Sequence, residues 1–207
     1  TKVFASESAF ARMVGRNSTY HQISPRLVFA RTFVVGWQPA FREITQDGRV
    51  FPDVPLPERF FAGGASSHRG FPENQAGPRD FATGFPVGGT AQLMNGLELR
   101  FPLYGENLGA VLFHDIGNVF EDFGALSLRV KQSDPRDFNY LVQAVGLGIR
   151  YNTPIGPLRL DFAYGLNSPR FFVAPPDDPR GCVNPSAGCP IDRIRRFQCL
   201  LSRGQAF

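Results

Sequence analysis

The feature that most constrains this chain is alternation of apolar with polar or small residues, in segments broken too often to be long helices. Leu158–Leu166 is the clearest case. Leu158, Leu160, Phe162, Tyr164 and Leu166 fall on one side, and Arg159, Asp161, Ala163 and Gly165 on the other. A helical period would mix these sets, whereas the period of two in a strand separates them. In Ala91–Leu103 the residues Leu93, Leu97, Leu99, Phe101 and Leu103 oppose Gln92, Gly96, Glu98 and Arg100. In Leu141–Tyr151 the residues Val145, Leu147, Ile149 and Tyr151 oppose Ala144, Gly146, Gly148 and Arg150. Arg26–Gln38 alternates through Leu27, Phe29, Phe33, Val35 and Trp37, with Arg31 interrupting its apolar side. Gly109–Phe120 is almost continuously apolar, which leaves its facing open, and Phe10–Ile23 alternates weakly. Arg195–Phe207 is the last candidate, giving about seven strands.

No stretch approaches the ~18 apolar residues that a transmembrane helix needs. Charged residues are 19% of the chain, below the roughly 25% of ordinary soluble domains. If such a chain enters a membrane it does so as strands, because only helices and closed barrels satisfy the backbone there. Tight turns, such as Pro154-Ile155-Gly156-Pro157, join some segments. Long loops join others, at Arg42–Gly89, Glu121–Asn139 and Asn167–Ile194. Short turns on one rim and long loops on the other suit an antiparallel transmembrane β-barrel. A soluble β-sandwich also alternates but carries shorter loops.

The net charge of +4 comes from scattered basic residues, so a nucleic-acid surface is not indicated. His21, His68 and His114 are isolated, with no second ligand at metal spacing. No nucleophile elbow, phosphate-binding Gly loop or paired carboxylate site is present, so neither an enzyme nor a cofactor is expected. Thr1 opens no signal peptide. Cys182 and Cys189 are separated by six residues rich in Asn, Pro, Ser and Gly that can turn back, which predicts a disulfide and an oxidising compartment. Cys199 should face lipid with Phe197 and Leu201.

Three segments carry a family resemblance. Arg59-Phe60-Phe61-Ala62-Gly63-Gly64-Ala65-Ser66-Ser67-His68-Arg69-Gly70-Phe71 resembles the long sixth extracellular loop of BamA/TamA-family outer-membrane proteins, departing at His68, where Val is usual. Phe113-His114-Asp115-Ile116-Gly117 resembles that family's F-x-D-x-G strand motif. Ser202-Arg203-Gly204-Gln205-Ala206-Phe207 resembles its terminal assembly signal, with Arg203 where an apolar residue is usual.

The resemblance implies the last seven or so strands of a sixteen-stranded barrel over residues 1–207, with no periplasmic POTRA domain in this stretch. Alone, 207 residues should not close that barrel, so the rest is expected elsewhere in a longer chain or in other copies. Loop 42–89 is expected to fold inward, with Arg69, Gly70 and Phe71 reaching the wall at Asp115 and Gly117. Arg69 would pair with Asp115, with Glu98 and Asp161 as competing partners. Asp115 and Gly117 share one side, and a carboxylate facing lipid is costly, so that side should be the lumen. In a wet lumen such a pair is worth about 1 kcal/mol. Gly64 and Gly70 would supply unusual backbone shapes, and Phe207 would be the terminal signal. The family function is insertion of β-barrel proteins into the bacterial outer membrane. Its partners are unfolded outer-membrane proteins, the lipid bilayer, and accessory lipoproteins or periplasmic translocation partners. The alternatives are a two-partner-secretion type exporter and a passive porin-like channel.

Overall fold

Seven of the chain's strands form one antiparallel sheet, in the order β1-β2-β5-β6-β7-β8-β11. They are β1 (Met13–Ser24), β2 (Leu27–Trp37), β5 (Ala91–Tyr104), β6 (Leu108–Phe120), β7 (Val142–Thr153), β8 (Gly156–Gly165) and β11 (Phe197–Arg203). A computed structural model describes residues 9–46, 49–80, 83–105, 107–154, 156–173 and 189–204. Each neighbour in the sheet is also the next long strand in sequence, an up-and-down meander with β1 and β11 at its edges. Among the described residues no helix is long and apolar enough to cross a membrane, which says nothing of strands.

The expected strands recur with small shifts at their ends. The last is shorter than Arg195–Phe207, running Phe197–Arg203, and Phe207 lies outside the described residues. Short turns close one rim, between β1 and β2, β5 and β6, and β7 and β8. Gly156 opens β8 with φ 116°, a backbone shape open to glycine at little cost. The other rim carries the long loops, which hold more structure than the sequence suggested. Strands β3 (Glu43–Gln46) and β4 (Arg49–Pro52) form a hairpin in the first, followed by a 3-10 turn at Leu56–Glu58. Strands β9 (Arg170–Phe172) and β10 (Ile191–Arg193) pair within the last.

The two sides of the sheet differ as alternation requires. Leu112, Leu147, Leu158 and Leu201 lie exposed on the outer side. Aromatic residues mark both rims of that side: Trp37 and Tyr164 by the long loops, Tyr151 by the short turns. This is the girdle pattern of a transmembrane barrel. The strand of ambiguous facing, β6, turns Val111, Phe113 and Asp115 inward and Leu112, His114 and Ile116 outward. The inner side is covered by the first long loop. Phe60, Ala62, Phe71 and Ala76 from that loop pack with Val34, Met94, Val119, Tyr140 and Val142 in the main apolar core.

Candidate functional site: the loop seated on the inner wall

The loop tip is built by local hydrogen bonds. Ser67 Oγ accepts from the Gly63 backbone N–H and donates to the Gly63 carbonyl, at 2.7 Å each. Gly64 N–H donates to Phe71 O at 2.9 Å. Gly63 and Gly64 hold φ of 127° and 78°, where a side chain would be strained. This closed turn projects His68, Arg69 and Gly70 onto the wall formed by β5, β6 and β7.

Arg69 makes the central contact. Its Nε donates to Asp115 Oδ2 at 2.8 Å and its Nη2 to Asp115 Oδ1 at 2.7 Å, the two-point fit of a guanidinium on a carboxylate. The Arg69 backbone N–H adds a third bond to Asp115 Oδ2 at 3.0 Å. Nη1 donates to Glu98 Oε1 at 2.7 Å, so the cation is shared by two carboxylates. Strand register explains the sharing. Glu98 stands opposite Phe113, and Asp115 opposite Gly96, so the carboxylates sit diagonally on adjacent strands and the same face. The guanidinium also lies 3.5 Å from the Phe113 ring centroid, within cation–π range.

Asp161, the other candidate partner, has different neighbours. Arg150 Nη1 stands 2.6 Å from its Oδ1 and Arg159 Nη2 3.1 Å from its Oδ2. Arg159 in turn reaches the loop, donating to Ala65 O at 3.3 Å. Arg100 binds the second oxygen of Glu98, with Nε at 2.8 Å. The expected isolated pair is therefore part of a network of four guanidinium groups and three carboxylates. The setting is also drier than the sequence suggested: Arg69, Asp115 and Glu98 are 4%, 3% and 1% exposed. The surface value of a salt bridge does not apply to such groups, because losing one partner strands a charge out of water.

Two glycines act through space rather than backbone shape. Gly70 does not adopt positive φ. An added Cβ would instead stand 2.7 Å from Ala144 Cβ and 3.0 Å from His68 Cε1. Gly70 thus lets the loop touch β7. On β6, a Cβ at Gly117 would meet the Leu93 carbonyl oxygen and stand 2.8 Å from Met94 Cα, so this glycine admits the close approach of the β5 backbone. Phe71 is fully buried in that core. Cys189 is disulfide-bonded, while Cys182, its expected partner, lies outside the described residues. Cys199 is free and exposed on the outer face.

His68 is the contact that sequence reasoning missed. It is 1% exposed, its Nε2 donates to Val142 O at 3.0 Å, and its Nδ1 accepts from the Gly70 N–H at 3.1 Å. Because Nδ1 accepts, only the neutral Nε2–H tautomer fits. Burial lowers the His68 pKa below its ordinary 6.5, against the opposing pull of Asp115. A folded-state pKa below the free value means that the undocked loop takes up a proton first. Docking is therefore strongest above pH 6.5 and weakens as pH falls below it, by up to about 1.4 kcal/mol per pH unit until the folded pKa is reached. Hydrogen exchange across residues 60–72 is expected to quicken between pH 7.5 and 5.5, and His68→Val is expected to flatten that response. Equal protection of the native loop at both pH values would refute it.

A sheet with an apolar outer face, aromatic rims and a long loop clamped inside defines the class: a transmembrane β-barrel wall of the kind found in bacterial outer membranes. Residues 1–173 match the Omp85 superfamily domain, and the chain belongs to that superfamily. It is 30% identical over 162 residues to the outer membrane protein assembly factor BamA of Nitratidesulfovibrio vulgaris, covering 76% of this chain and 18% of that protein. Against BamA of Neorickettsia risticii it is 28% identical over 130 residues, covering 59% and 16%. The chain therefore spans less than a fifth of the length of these relatives. Among solved structures, BamA from Haemophilus ducreyi lacking POTRA domains 1-3 superposes with a TM-score of 0.59 at 20% identity. That match covers 93% of this chain and 35% of that one, and shows a common fold.

Proposed function

We propose that this chain forms the C-terminal wall of an integral outer-membrane barrel that inserts other β-barrel proteins into that membrane. The observation that carries the reading is the edge strand β11. It pairs with β8 over seven residues, has no second neighbour among the described residues, and borders the apolar outer face. A client strand can add to such an edge through main-chain hydrogen bonds, which need no particular client sequence. The seated loop braces the wall beside it. On this reading the clients are unfolded outer-membrane proteins, accessory lipoproteins or periplasmic partners deliver them, and no covalent chemistry or cofactor takes part.

Depletion of the full-length protein in its own cells is expected to lower many outer-membrane barrel proteins together. A photo-crosslinking residue at Gln198 should capture client strands during assembly. Normal levels of barrel proteins, with loss of one secreted protein, would replace the insertase by an exporter.

A further inference from the structure

The outer face of the sheet is not uniform. Over β8 it is apolar, and on β11 Arg203 alone breaks it, at the short-turn rim, but across β1, β2, β5 and β6 polar residues stand among the apolar ones. Arg31 is the fifth of the eleven residues of β2, with Phe29 and Phe33 as its neighbours on the same side. It stands opposite Thr19 on β1 and Leu97 on β5, and its side chain is exposed. At about 3.3 Å per residue and a strand tilt near 40°, that places it roughly 10 Å inside the nearer, short-turn rim.

A lone arginine at such depth would relieve its cost by reaching for the nearer rim. Arg31 reaches the other way. Its Nε donates to Asn95 Oδ1 at 2.9 Å, and Asn95 stands opposite Phe33, one step closer to the long-loop rim. Asn17 lies on that same register line. The two terminal nitrogens of Arg31 donate to nothing among the described residues. Their N–H groups therefore need acceptors that hydrocarbon cannot offer. This face is opposite the one the loop covers, so it stays open whichever strands complete the barrel.

We infer that Arg31, held by Asn95, binds the phosphate of an anionic phospholipid drawn down along the outer face, thinning the bilayer locally over β1, β2 and β5. A guanidinium fits a phosphate with parallel charge-assisted hydrogen bonds. A protein partner fits less well. The polar residues stand singly among Phe29, Phe33, Leu97 and Leu99 and form no contiguous patch on β2 and β5, whereas a stable protein contact covers about 800 Å² on each side.

The inference rests on the membrane-integral reading above, and its test separates the two. The full-length protein is reconstituted in vesicles of phosphatidylcholine containing phosphatidylglycerol, and co-purified lipid is counted by native mass spectrometry. The wild type is expected to retain phosphatidylglycerol that Arg31→Leu loses, with apparent affinity falling roughly tenfold. Asn95→Leu keeps the charge but frees the side chain, and should weaken retention while leaving the barrel assembled. Arg31→Lys should retain the lipid in part. Equal retention by wild type, Arg31→Leu and Asn95→Leu overturns the lipid site while leaving the membrane reading intact. Crosslinks from position 33 to a protein rather than to lipid also overturn it. Failure of the wild type to insert into any vesicle overturns the membrane reading itself.

Discussion

Replacing Arg69 with Ala is expected to release the loop from the wall and to abolish complementation of a depletion strain. The substitution removes three side-chain hydrogen bonds, two to Asp115 and one to Glu98. It leaves both carboxylates where water does not reach them, since each is no more than 3% exposed. Breaking a buried pair from one side costs about 3–5 kcal/mol, far more than a surface pair is worth. Arg69→Lys should lose most of the same contact. An ammonium is a point charge and cannot span Asp115 Oδ1, Asp115 Oδ2 and Glu98 Oε1 at once. Glu98→Gln should be milder, because the two-point contact with Asp115 survives. The expected order of loop release is Ala, then Lys, then Glu98→Gln, read as protease cleavage within residues 60–72 and as loss of heat-modifiable mobility in gels. Wild-type protection of the loop in Arg69→Ala would show that the apolar packing of Phe60 and Phe71 alone seats it.

The sheet was legible because its signal is local. Alternation assigned β5, β7 and β8 to within a few residues and placed Glu98 and Asp161 on the polar side, while Asp115 was placed in the lumen by the cost of a carboxylate facing lipid. It failed on β6 for a physical reason. The wall is not wet where the loop sits, so Val111 and Phe113 face inward beneath Arg69 and the strand reads as apolar on both sides. The sharing of Arg69 between two carboxylates depends on the register of β5 against β6, which no single strand encodes. His68 was passed over because its partner is a backbone carbonyl at Val142, and a carbonyl leaves no mark in the sequence. The Arg59–Phe71 motif did mark the loop. What it could not give was the loop's own packing, since Phe60 and Phe71 meet Tyr140 and Val142 from a segment read only as the next loop and strand.

Adding one methyl group at Gly70 is expected to undo much of what Arg69 achieves. The Cβ of Gly70→Ala would stand 2.7 Å from Ala144 Cβ and 3.0 Å from His68 Cε1. Neither neighbour yields easily. Ala144 is fixed to the backbone of β7, which pairs with both β6 and β8. The His68 ring is held through both nitrogens. The loop must therefore lift, and Arg69, one residue away, is carried off Asp115. Overpacking of this kind costs about 1–3 kcal/mol, and Gly70→Val should cost more. The specific check is a double substitution. Ala144→Gly removes the atom that a new Cβ would strike, so Gly70→Ala with Ala144→Gly should recover loop protection that Gly70→Ala alone loses. The two sites touch, so their effects should be strongly non-additive. Purely additive losses would mean that Gly70 is required for some reason other than the close approach to β7. Protection equal to wild type in Gly70→Ala would mean that the loop tip has slack which this structure does not show.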